Sequence, residues 1–250
     1  MQAKIVAKYT VSSIKKSIMI FYSIFISICI LLIILSKING ATITFSGIEL
    51  SSAIFIFIAG LNLFKENFYF AKSNNITRKD YFLGTIASML PVAGVMAIID
   101  IVINRIFNLF ISCPTNYDMI FTDFGNVDFL INYSWVQNND IKTLFNTFLF
   151  QTAIYLMLFA LGFVINMVYY KCNKLMKTVV SITPVMLIIL FSVLVSNFHN
   201  LSMKINKFLS YIFGVNPINP YASITTFIVL FITLVAIAYL LIRKMVIKER

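Results

Sequence analysis

Charge is what this chain has least of. Only 12% of its 250 residues are charged, and a soluble domain of that size needs far more polar surface to face water. Histidine is nearly absent as well: the lone His199 has no Cys or carboxylate cluster beside it in sequence, which excludes most zinc arrangements and a Ser-His-Asp triad. Three scattered cysteines, Cys29, Cys113 and Cys172, are too few for a disulfide framework. None of the eight glycines precedes a lysine, so the GxxxxGK[ST] loop that cradles nucleotide phosphates is missing and the chain is not its own ATPase. A membrane metalloprotease would need paired carboxylates and histidines within its apolar runs, and those are lacking too. No internal repeat, low-complexity tract or dyad alternation of a membrane barrel occurs.

What remains is apolar. Hydrophobic residues make up 60% of the chain, with 25 Phe, so the solvent for most of it is lipid. Crossing a hydrocarbon layer of about 30 Å takes roughly 20 residues of helix, and backbone groups in lipid must be satisfied within the segment. Six runs qualify, near 17–35, 48–64, 81–103, 144–170, 179–195 and 221–242, the second and fifth borrowing from their flanks. The chain reads as an all-α membrane protein of six transmembrane helices in one domain, 1–250. The first run follows a polar head, lacks a small-residue cleavage site and is of full length, which predicts a retained helix rather than a signal peptide.

Positive charge sets the orientation, because Lys and Arg flanking a span resist translocation. Lys4, Lys8, Lys15, Lys16, Lys65, Lys72, Arg78, Lys79, Lys171, Lys174, Lys177, Arg243, Lys244, Lys248 and Arg250 all fall on one side, fifteen of the twenty basic residues. Both termini are therefore expected in the cytoplasm. The net charge of +11 does not signal nucleic acid, since it is spread over four short segments without an aromatic platform or binding motif.

The head, residues 1–16, places Ile5, Tyr9 and Ile14 on one helical face among lysines, which predicts a helix lying in the cytoplasmic interface. The long connection 104–142 mixes apolar pieces with Asp118, Asp123, Asp128, Asp140 and Trp135 and is expected to form a small ordered cap. Between spans 5 and 6, Ile205, Phe208, Leu209, Ile212 and Phe213 repeat at helical spacing opposite Lys204, Asn206, Lys207 and Ser210, the pattern of an amphipathic outer helix too short to span. Gly214, Pro217 and Pro220 stop it.

Ionisable residues inside a span cost about 2.5–3.5 kcal/mol on insertion scales. Asp100 is the one such residue, and Asn104 at i+4 with Arg105 nearby is expected to satisfy it in a structural role. Gln151, Asn166 and Asn62 are expected to join helices. One marginal carboxylate gives little support to proton-coupled transport.

The most informative stretch is KENFYFAKSNNITRKDYF, 65–82. Leu61, Phe64, Phe68 and Ala71 carry a helical stripe past the end of span 2. Asn74 and Asn75 suit the left-handed turn that ends a helix. Thr77 then stands as N-cap of the next helix with Asp80 three residues on. That predicts a helix stop, a tight turn and a helix start, with Arg78 and Lys79 at the tip.

Asn74, Asn75, Ile76, Thr77, Arg78, Lys79, Asp80, Tyr81 and Phe82 resemble the first cytoplasmic loop of the ATP-binding cassette (ABC) type 2 permease family, bacterial exporter subunits in which it reads like NGISRKxYF. Asn75 replaces the glycine and Thr77 the serine. Six spans, an interfacial head and an outer amphipathic helix agree, whereas the outer loop between spans 3 and 4 is longer than in compact members. The resemblance implies a half-transporter in the bacterial plasma membrane that pairs with a second permease copy, identical or sister, and docks separate ATPase subunits carrying ATP and Mg. It also implies that Phe68, Lys72, Asn74, Asn75, Ile76, Thr77, Arg78 and Lys79 form the coupling element that meets the ATPase. Small relatives exporting phenol-soluble modulins or giving lantibiotic immunity handle amphipathic peptides, so such peptides are the implied cargo. A membrane scaffold or sensor subunit without its own transport path is the alternative. No cofactor or metal is expected on this chain.

Overall fold

The computed structural model describes residues 2–39, 46–122, 137–243 and 245, and among these every regular element is helical. They are α1 (Gln2–Asn39), α2 (Glu49–Ser73), α3 (Arg78–Phe107), α4 (Asn116–Phe121), α5 (Ile141–Lys171), α6 (Lys174–Asn197), α7 (His199–Ile212) and α8 (Pro220–Arg243). All but α4 and α7 are long and apolar enough to cross a membrane. The reason is the run length read above: each apolar stretch is long enough to span, and none is interrupted by charge except at Asp100.

Long helices meet at two ends. At one, the elbow end, lie the start of α1, the α2–α3 turn, the α5–α6 junction and the last turn of α8; the opposite, loop end carries α4 and α7. The first and last described residues share the elbow end: Asn67 of α2 reaches Thr10 of α1, and Arg78 of α3 reaches the carbonyl of Arg243.

At the centre stands α5, on which α2, α3 and α8 pack, while α1 lies along α3. Hydrophobic burial cannot drive this within lipid, so close backbone approach and polar contacts have to do so. Gly60 and Gly162 supply the approach. A methyl group on Gly60 would come within 2.4 Å of the Phe159 carbonyl, and one on Gly162 within 2.3 Å of the Phe57 carbonyl. Asn166 Nδ2 donates to the Leu61 carbonyl beside this crossing. Toward the elbow end, Phe64, Phe68, Tyr81, Phe163 and Tyr170 interlock with ring centroids 5.0–6.3 Å apart, the separation at which edge-to-face pairs add about 0.5–1.5 kcal/mol each.

One expectation changes. No break separates the head from the first span: α1 runs 38 residues, about 57 Å at 1.5 Å per residue, nearly twice the hydrocarbon thickness. No Gly or Pro lies between Gln2 and Asn39 to stop it. Its first half packs on the extensions of α2 and α3 through Val6, Thr10 and Ile14, all buried, whereas Ile5 is half exposed and Tyr9 instead stacks on Phe70 at 3.8 Å. The head is thus one rod with the span, not a separate interfacial helix. In the connection 104–142, the described portion is ordered by α4, whose N-cap Thr115 and Asp118 form a reciprocal capping box; Asp123, Asp128 and Trp135 lie outside the described residues.

By contrast, α6 stands apart. None of the described residues in its apolar stretch is buried, and it is tied to the rest by the Tyr169–Ser181 hydroxyl contact and its packing on α7.

Candidate functional site

The elbow is built by local chemistry. Asn75 takes the left-handed conformation with φ +55°. Its N–H donates to the Lys72 carbonyl at 3.1 Å, and the N–H of Ile76 donates to the Ala71 carbonyl at 2.9 Å, the paired bonds of a Schellman stop. Asn74 Nδ2 caps the Phe70 carbonyl at 2.8 Å. Two residues on, the Thr77 hydroxyl oxygen accepts from the Asp80 N–H at 3.1 Å while its own proton goes to Asp80 Oδ2 at 2.9 Å. Helix end, turn and helix start are therefore each satisfied within residues 70–80.

Of the residues expected at the coupling tip, Lys72, Asn74, Asn75, Thr77, Arg78 and Lys79 are exposed and Ile76 is half buried. Phe68 is not among them: it is 4% exposed and belongs to the aromatic cluster under the elbow, because the stripe that continues span 2 faces α3 and α5 rather than outward. Arg78 is exposed but engaged, its Nη1 donating to the Arg243 carbonyl at 2.9 Å at the C-terminal end of α8, where a cation meets the negative pole of the helix. Phe82 meets Tyr239 one turn further in, 5.4 Å between centroids. The elbow and the last helix are thereby coupled.

Deeper in, Asp100 is the hub of a buried polar cage. It is 3% exposed. Tyr22 of α1 and Ser52 of α2 each donate to its Oδ1 at 2.8 Å, and Tyr155 of α5 donates to Oδ2. Gln151 Nε2 donates to the Tyr155 oxygen at 2.6 Å, leaving that hydroxyl proton for the carboxylate. Three hydroxyl donors on one acid are the pairing a buried carboxylate requires, and they join four helices at one point. The partners expected from sequence are not the ones found. Asn104 Nδ2 donates to the Cys113 carbonyl at 3.0 Å and its Oδ1 accepts from Asn108 and Gln137, knotting the loop end, and Arg105 forms no bond to Asp100. The i+4 position shares a helix face with Asp100, but its amide turns to the loop carbonyls that would otherwise go unpaired. Asn166 does join two helices through the Leu61 carbonyl, whereas Gln151 bonds to Tyr155 and Asn62 to Ile58, each within its own helix.

Sequence reading missed Tyr22, Ser52 and Tyr155. Hydroxyls in the middle of apolar runs were the signal, but nothing local shows that residues 22, 52, 100 and 155 converge. Glu49 was missed too: it is 3% exposed, with Oε2 unpartnered in the protein, as are Asp118 Oδ1 and the Arg105 guanidinium. Outside the spanning helices, burial pushes the Cys113 thiol up to about 12 and raises the Tyr117 phenol above its ordinary value.

At the loop end, α7 ends at Ile212 with Phe213 as C-cap and Gly214 at φ +57°. Ser223 and Thr226 of α8 donate to the Phe213 and Ile212 carbonyls, so α8 caps α7. Ile205, Ile212 and Phe213 are half buried, but Phe208 and Leu209 are 63% and 42% exposed.

Such a bundle, with six apolar helices joined by a buried acid and a satisfied polar elbow, is that of a multi-pass α-helical membrane protein. No family model matches the chain, and no curated protein or solved structure matches it either. Among the described residues no group of His, Cys, Asp and Glu is placed to hold a metal ion.

Proposed function

We propose that this chain is the permease subunit of an ATP-driven exporter of the ABC type 2 kind in a bacterial plasma membrane, with its termini and elbow in the cytoplasm, working beside a second permease copy. ATP and Mg are bound by separate ATPase subunits, and amphipathic peptides or other hydrophobic compounds are the cargo. The observation that carries the reading is the elbow: a rigid, basic, exposed turn at the end to which the sequence assigns fifteen of the twenty positive charges, resting on an aromatic cluster and bonded to α8. Force applied at Lys72, Asn75 and Lys79 would reach α2, α3 and α8 together, because Phe68 and Tyr81 lock the first two and Arg78 holds the third.

The bond from Arg78 to α8 decides the choice of variant. Reversing Arg78 would disturb the end of α8 as well as any docking surface, so Lys72→Glu with Lys79→Glu is the cleaner test. An ATPase that co-purifies with the wild type should be released by that pair while the permease stays folded; retention by the double variant, with export unchanged, sinks the assignment. An ATPase that binds without cargo moving would instead favour a scaffold or sensor subunit.

A further inference from the structure

Near the elbow end, α1 and α2 are pinned together twice. Asn67 Nδ2 donates to Thr10 Oγ1 at 3.2 Å, and further along Phe21 stacks on Phe55 with centroids 4.5 Å apart. Between the pins the helices part and leave a cleft of about 220 Å³ with Phe55, Ile58 and Leu63 on its apolar side and Ser17, Asn62 and Glu66 on its polar side. That is room for about seven water-sized groups, the scale of a small headgroup and the first carbons of a chain.

The polar side calls for an occupant. Asn62 lies within an apolar run yet is exposed, and its amide bonds only to the Ile58 carbonyl one turn back, at 3.1 Å. Amide groups left over against lipid are costly. Glu66 is exposed and forms no ion pair among the described residues, although Lys15, Lys16 and Lys65 adjoin the cleft residues in sequence and are exposed as well. Besides Asp80, which is held by the Thr77 cap, it is the one described carboxylate at this end. A purely anionic headgroup would be attracted by the lysines and repelled by Glu66; a purely cationic amphiphile would meet the reverse. A headgroup with both signs, its phosphate toward the lysines and its amine on Glu66, satisfies the whole set.

We propose that the α1–α2 cleft binds one phospholipid whose headgroup carries a primary amine beside its phosphate, the amine on Glu66, the ester region at Asn62 and Ser17, and an acyl chain along Phe55 and Ile58. This site is independent of the exporter reading. It is tested by placing the full chain in nanodiscs of phosphatidylglycerol with a minor fraction of phosphatidylethanolamine and counting retained lipids by native mass spectrometry. Wild type should keep one phosphatidylethanolamine in preference to phosphatidylglycerol. Glu66→Gln, an exposed change that leaves the fold alone, should lower that retention about tenfold, as expected for losing one charge-assisted contact. Ser17→Leu, which fills the cleft from the other helix, should abolish it with phosphatidylglycerol background unchanged. Equal phosphatidylethanolamine retention in wild type and Glu66→Gln overturns the proposal, and so does a wild type that keeps phosphatidylglycerol instead.

Discussion

Asp100 shows how a single residue organises the bundle. Its three donors do not lose equally when it is removed. Tyr22 has the Met96 carbonyl within 3.2 Å and Tyr155 has the Glu49 carbonyl at 3.4 Å, so both can fall back on backbone. Ser52 makes no other side-chain hydrogen bond among the described residues. Asp100→Leu should therefore cost about 1–3 kcal/mol, the penalty for one buried group left unsatisfied, and Asp100→Asn, which keeps an acceptor oxygen, clearly less; thermal unfolding followed by size-exclusion in detergent measures both. An equal loss for the two variants would mean that charge, not hydrogen bonding, holds the cage. Asp100 itself could be picked out in sequence, as a lone acid in an apolar run, but its partners could not. They come from helices 48 to 78 residues away, and a serine or tyrosine in a span looks the same whether it faces an acid or a lipid.

At the scale of elements, the elbow was readable because its determinants are local: a left-handed asparagine, a capping threonine and the bonds between them lie within ten residues. Asn75→Gly should keep the turn, since glycine adopts positive φ without strain, whereas Asn75→Val should weaken it by about 1–2 kcal/mol. Hydrogen exchange of the Ile76 amide, which bonds to Ala71, reports on this directly: protection unchanged in the glycine variant and lost in the valine variant. Phe68 was misread for the complementary reason. Sequence periodicity shows that a stripe continues, not whether it meets protein or solvent, and here it meets Tyr81 and Tyr170. The head of α1 was misread although the sequence held the answer, since a stretch without Gly or Pro gives a helix no place to stop.

For the whole molecule, the native cysteines test which way round it sits. Cys172 joins α5 to α6 at the elbow end and is half buried, while Cys29 and Cys113 are buried. Burial keeps the Cys113 thiol protonated until the pH approaches about 12, so the stability this gives is complete below the ordinary thiol range, near 9, and declines as pH rises from there. At pH 7.5, about where labelling is usually done, thiol reagents should modify Cys172 and spare Cys113. With the elbow end in the cytoplasm, a membrane-impermeant maleimide should label Cys172 only after the cells are opened; labelling of intact cells would reverse the orientation. The glycine crossing of α2 and α5 bears on how the protein is made. The least apolar of the six candidate spans is α2, and Gly162, against which it fits, leaves the ribosome about a hundred residues after Gly60, roughly 5–20 seconds later at ordinary rates of synthesis. During that interval α1 can already pair with α2 through Thr10, but Ser52 waits for Asp100 and the Leu61 carbonyl waits for Asn166. A nascent chain halted at Lys171, with α5 still within the ribosome, should therefore lose α2 to proteolysis far faster than one halted at Arg243, which makes the order of translation a part of how this bundle is assembled.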